Sequence, residues 1–153
     1  MAEKVISQIK FEIEQIDQLL ELYAELLACP KQNTPSLVEK TAMAALLHSF
    51  YTGVENIFLS VAKGIDRDIP AGAQSHRDLL GQMIKRTLYR MPVISEKVKE
   101  KLSDYLIFRH FFRHAYSFFL DWDKMKELVS SLVEVWDQLK RELHLFLDHL
   151  NPD

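Results

Sequence analysis

VISQIKFEIEQIDQLLELYAELL, residues 5–27, decides the fold class. Its apolar side chains Val5, Ile9, Ile13, Ile16, Leu20, Tyr23 and Leu27 recur in steps of three and four. That is the spacing of one helix face, not of a strand. The stripe predicts a first helix over roughly residues 3–28, stopped by Pro30, because the residue before a proline avoids helical geometry. Ile6, Leu19, Leu22 and Leu26 widen the stripe, so this helix is expected to touch more than one neighbour.

The same period continues outward. Thr34-Pro35-Ser36-Leu37-Val38-Glu39 reads as a helix start, with proline in the first turn and Ser36 and Glu39 forming a capping box. The second helix is expected to reach about Lys63, with Leu47, Tyr51, Val54, Phe58 and Val61 inward and Gly64 as its stop. Residues 65–74 read as a loop. Ser75 is expected to cap a third helix over roughly 76–90, broken by Met91-Pro92. Ser95 opens a fourth helix extending to Tyr116 or Ser117. Asp121 caps a fifth, with Leu128, Leu132, Val135, Leu139, Leu143, Phe146 and Leu150 on one seam. No strand pattern or internal repeat interrupts this. The reading is an all-α, up-down helical bundle of about five helices, one domain over residues 1–153.

Composition supports it. Four glycines and five prolines in 153 residues are too few for the turns of a sandwich or barrel. The lone cysteine, Cys29, forms neither an internal disulfide nor a four-ligand zinc site. The N-terminal residues lack the apolar core of a signal peptide, and no run of about 18 apolar residues exists to span a membrane. A cytosolic protein with no membrane attachment is expected. The net charge of −3 is unevenly spread: residues 76–116 hold nine Lys and Arg against four acids, a local +5, and the remainder carries −8. A polyanion is therefore attracted to one face and repelled elsewhere, although a solvated basic helix pair reads the same way.

The fourth helix carries the candidate chemistry. At about 100° per residue, Phe108, Phe111 and Phe112 share one arc, and Arg109, Arg113 and Tyr116 share the opposite one. His110 and His114, four apart, lie beside the basic arc. No acid occurs between Asp104 and Asp121. These residue types suit an RNA phosphodiester. Histidine takes or gives a proton near neutral pH, and arginine grips phosphate oxygens and offsets transition-state charge. No metal is required, and the two histidines lack the further ligand and helix glutamate of a zinc protease. The bland alternative is that these side chains pair with acids on neighbouring helices while Tyr116 closes the core.

Arg109 to Tyr116 fits the Arg-x4-His-x-Tyr pattern of HepT-like proteins, a branch of the HEPN superfamily, and Phe118-Phe119-Leu120-Asp121-Trp122 is similar to the segment that follows that pattern. The superfamily pattern of arginine, a polar residue and a later histidine maps to Arg109, His110 and His114. The resemblance implies a ribonuclease toxin of a type VII toxin–antitoxin pair, independent of metal and cofactor. It implies a homodimer in which the motifs of two protomers face one cleft. It also implies a small nucleotidyltransferase antitoxin (MNT type) that attaches AMP to the tyrosine matching Tyr116. Arg109 and His114 are then the catalytic pair, with His110 and Arg113 supporting. Two departures stand out: His110 replaces the asparagine of many relatives, and Arg113 is not a motif position.

Other residues read more plainly. His48 and His76 are expected at the surface or core edge. Glu55-Asn56 can approach the motif but reads first as a buried-edge salt bridge. His144 and His149 fall in a polar, fraying C-terminal turn. Trp122 and Trp136 belong to the core or a dimer interface, which the wide apolar stripes of the first and fifth helices extend. Two further function classes compete with the toxin: a non-catalytic HEPN dimer that binds a nucleotidyltransferase or its substrate, and a structural bundle with no ligand. The intact Arg109–His114 pair favours the enzyme.

Overall fold

The first apolar stripe becomes α1 (Ala2–Leu22), which buries Val5, Ile9, Ile13, Ile16 and Leu20. The computed structural model describes residues 2–28, 34–114, 116 and 120–150, and among these all regular structure is helical. Tyr23 departs from helical geometry, with φ −100° and ψ 12°, so the expected single helix continues only as the one-turn α2 (Ala24–Leu27). Cys29 and Pro30 lie outside the described residues.

The capping box forms as expected. Ser36 Oγ accepts from the Glu39 amide at 3.1 Å, and the Glu39 carboxylate accepts from the Ser36 amide at 3.0 Å. It opens α3 (Leu37–Val61). All five residues expected inward are buried, and so are Met43, Ala44, Leu46, Phe50, Gly53, Glu55 and Ile57. A helix buried on so many sides sits in the centre: α3 packs against α1 and against each of the later helices described below.

Gly64 does not end this helix. The chain passes into a π-helical turn, Ala62–Asp66, and stops at Arg67, which takes the left-handed φ of 52°. Gly64 is needed for close approach, since a Cβ there would run into Val5 Cγ2 of α1. The expected short third helix forms but is shorter still. α4 (Ser75–Gln82) ends eight residues earlier than expected, and Ser75 is its first residue rather than its cap. The reason is Arg90, which is 6 % exposed. A buried guanidinium must find partners for its donors. Arg90 Nε and Nη2 each donate to Asp66 at 2.7 Å, Nη1 donates to the Lys85 carbonyl at 2.7 Å, and Nη2 also reaches the Gln82 carbonyl. Carbonyls that would have continued the helix therefore turn inward.

Ser95 caps α5 (Glu96–His114) by accepting from the Val98 amide at 3.2 Å, and its own amide donates to Glu142 of the last helix. Asp121 caps α6 (Trp122–Leu150) through the Asp123 amide at 3.0 Å. α6 keeps the expected seam and is helical through His144 and His149. Trp136 is 2 % exposed, with its indole N–H donating to Asp17 of α1 at 2.7 Å, so it is a core residue and not part of an exposed interface. The buried apolar side chains form one core cluster running from Val5 to Leu147. Among the described residues no helix is long and apolar enough to cross a membrane.

Candidate active site

Glu55 organises the site. It lies four residues after Tyr51 and three before Phe58, so the helical period turns it to the buried face of α3, where it is 7 % exposed. A carboxylate there requires cationic or hydrogen-bonding partners. One oxygen is 2.7 Å from His76 Nδ1 on α4, and the other is 3.5 Å from Arg109 Nη1 on α5. Three helices thus meet on one carboxylate. The arginine contact is an ion pair without a well-formed hydrogen bond, and the buried Arg109 Nε finds no acceptor among the described residues.

Above this anchor lies a cleft of about 670 Å³ between α4 and α5. Four cations line it, Arg77, Lys99, Arg109 and Arg113, together with His76 and His110. No carboxylate is present among its described lining residues. The apolar part of the wall comes from Leu80, Leu106 and Ile107. A larger cleft of about 880 Å³ adjoins it and shares Arg77 and Lys99, but it holds Asp66, Asp68 and Asp78 and, among the described residues, no histidine. Its three acids are matched by Arg77, Lys85 and Lys99, so that lining carries no net charge, whereas the smaller cleft's charges are all positive.

His48 stands behind the motif helix on α3. Its ring is 5.4 Å from that of Phe112, and its buried Nδ1 has no partner among the described residues. Burial, and then the positive charges of Arg109 and Arg113, hold its pKa below the ordinary 6.5. Phe112 in turn stacks on the buried Phe108 at 6.2 Å. The aromatic arc of α5 therefore faces inward while the basic arc faces the cleft, although Phe111 remains 39 % exposed.

Arg109, His110 and Arg113 come together in the cleft as the helical spacing requires. His114 is the last residue of α5 and exposed, and it is not among the described residues lining the cleft. Its ring sits 4.8 Å from that of His110, at 60°. Tyr116 departs from expectation. α5 ends at His114, two basic residues suiting the negative end of the helix dipole, so Tyr116 lies beyond the helix at 71 % exposure. The two-turn helical register that would align it with Arg109 is absent. Ala115, Ser117, Phe118 and Phe119 lie outside the described residues.

Glu55 makes the buried-edge salt bridge its position suggests, with the motif arginine as partner, and His76, half-exposed at the core edge as expected, joins it. The signal for Glu55 was present: an acid on an otherwise buried face, which a soluble protein keeps only with a partner. His76 offers no such signal, because only the packing of α4 brings it over Glu55. Among the described residues no three His, Cys, Asp or Glu side chains gather as a metal site would require.

The family model described as HepT-like protein matches residues 42–150. The chain belongs to the HepT-like family of HEPN toxins. The HepT-like match runs from within α3 to the end of α6, so it takes in Glu55, His76 and the whole motif helix, and it leaves α1 and α2 outside. The helical bundle agrees with a HEPN-like fold. Comparison with curated proteins and with solved structures finds no match.

Proposed function

We propose that this HepT-like chain is a toxin-type endoribonuclease of the cytosol, cleaving RNA by attack of a 2′-hydroxyl on the neighbouring phosphodiester without metal or cofactor. The observation that carries this reading is the acid-free cleft in which Arg109, fixed by Glu55, stands with Arg113 and His110. Arg109 clamps the phosphate and offsets charge on the pentacoordinate phosphorus. His114 serves as acid or base. His110, in ring contact with it, and Arg113 support them. A homodimer sets two copies of this basic patch side by side, facing one cleft, and doubles the groups available to an extended RNA. A nucleotidyltransferase antitoxin silences the toxin by placing AMP on Tyr116, whose exposure suits an enzyme partner. The added phosphodiester then competes for Arg109 or Arg113.

Growth of cells expressing the protein alone, beside cells expressing His114→Ala, tests the reading. Arrest by the wild type and normal growth with the variant support it. Equal behaviour of the two favours the non-catalytic binding module, a HEPN dimer that carries a nucleotidyltransferase or its substrate.

A further inference from the structure

We infer that His76, oriented by Glu55, is a second proton-transfer residue of this site, acting as the base that takes the 2′-hydroxyl proton. The inference rests on the ribonuclease reading above and adds to it a residue outside the motif helix. Displacement at phosphorus runs roughly in line, so the attacking and departing oxygens lie on opposite sides of the phosphorus atom. A base and an acid must therefore approach from different sides. His110 and His114 cannot divide that work easily: they are one turn apart on the same helix, with rings 4.8 Å apart. His76 comes from α4, across the cleft from α5, and its ring lines the same space as Arg109 and His110.

The hydrogen bonding of His76 prepares it for that role. Its Nδ1 is 2.7 Å from Glu55 Oε1. An ionised carboxylate only accepts, so a neutral ring held in this contact carries its proton on Nδ1 and its lone pair on Nε2. The carboxylate is 10 % exposed and the imidazole 45 %, so the charge stays inside while the ring meets the cleft. A carboxylate behind a histidine in this manner fixes tautomer and orientation and steadies the imidazolium formed on proton uptake. Glu55 is thus a positioning residue for two groups at once, since its other oxygen faces Arg109.

The step balances. Nε2 of His76 takes the 2′-hydroxyl proton, and the freed electron pair forms the new bond from the 2′ oxygen to phosphorus. The bond from phosphorus to the 5′ oxygen breaks, its pair remains on that oxygen, and a protonated histidine of α5 supplies the proton. The products are a 2′,3′-cyclic phosphate and a 5′-hydroxyl end.

The test compares His76→Gln, His76→Ala, Arg109→Ala and His114→Ala, each purified at full length, for release of cyclic-phosphate ends from total cellular RNA. His76→Gln keeps a hydrogen-bond donor for Glu55 but cannot carry the proton. It should lose about 10²- to 10⁴-fold in rate with unchanged circular dichroism, and free imidazole should restore part of the activity of His76→Ala. Wild-type activity in His76→Gln, with Arg109→Ala and His114→Ala inactive, would overturn the inference and leave the ribonuclease reading standing. Loss in His76→Ala alone, repaired by glutamine and indifferent to imidazole, would make His76 a structural tether and overturn it too. An inactive wild type would remove the reading and the inference together.

Discussion

Arg109 Nη1 lies 3.5 Å from Glu55 Oε2, so the motif arginine is anchored by a different helix from the one that carries it. Arg109 makes no well-formed hydrogen bond to that carboxylate, and a phosphate, with two oxygens in reach of the guanidinium fork, offers the two-point partner it lacks. Arg109→Lys keeps the positive charge beside Glu55 but loses the fork. Its melting temperature should stay near wild type, while RNA cleavage falls about tenfold or more. Wild-type cleavage by the lysine variant would show that a point charge suffices.

Close approach of α1 predicts a contrast among glycines. A Cβ on Gly53 would stand 2.9 Å from Ile16 Cγ1, and one on Gly64 would collide with Val5, whereas Gly81 in α4 has nothing within 4 Å. Gly53→Ala and Gly64→Ala should each lose about 1–3 kcal/mol through overpacking. Gly81→Ala should gain about 0.4–1 kcal/mol by restricting the unfolded chain. Urea unfolding of the three variants checks the order, and equal effects at Gly64 and Gly81 would contradict the packing described.

His48 predicts a pH dependence. Its folded pKa is depressed below 6.5 by burial first and by Arg109 and Arg113 next. The unfolded chain therefore binds the proton more readily, and stability falls as pH drops through 6.5 toward the folded value. The contribution is fully present above the unfolded pKa. His48→Gln removes this titration, so its melting temperature should decline less between pH 7 and pH 5 than that of the wild type. Parallel curves for the two proteins would assign the decline to other groups.

Tyr116 tests the regulatory half of the account. Tyr116→Phe removes the oxygen to which AMP would attach. Mass spectrometry after co-expression with the cognate nucleotidyltransferase should find adenylyl groups on the wild type and none on the variant, which should remain folded. Modification that persists in the variant would place the acceptor on another residue.

Periodicity made the long elements legible. The stripe from Val5 to Leu20, the seam from Leu128 to Leu150, the capping box at Ser36 and Glu39 and the cap at Asp121 all follow from local spacing. The failures have nonlocal causes. The third helix stops at Gln82 because Arg90 needs Asp66, a residue 24 positions away, and no helical period encodes that demand. Gly64 looked like a helix stop, yet it answers to Val5 of another helix. At the site, spacing joins Arg109, His110 and Arg113 as the cleft does, but it carries the helix to Tyr116 or Ser117 where α5 ends at His114. The anchors Glu55 and His76 come from α3 and α4, and only tertiary packing places them together.

Cleavage of RNA by the purified protein is the most direct test of the central claim. Wild-type protein and His114→Ala are incubated with total cellular RNA in the presence of a chelator, and new 5′-hydroxyl and 2′,3′-cyclic phosphate ends are counted. The account predicts such ends from the wild type at undiminished rate with the chelator, and loss of at least about 10²-fold in the variant, whose circular dichroism stays the same. Full cleavage by His114→Ala, or none by the wild type, would contradict it.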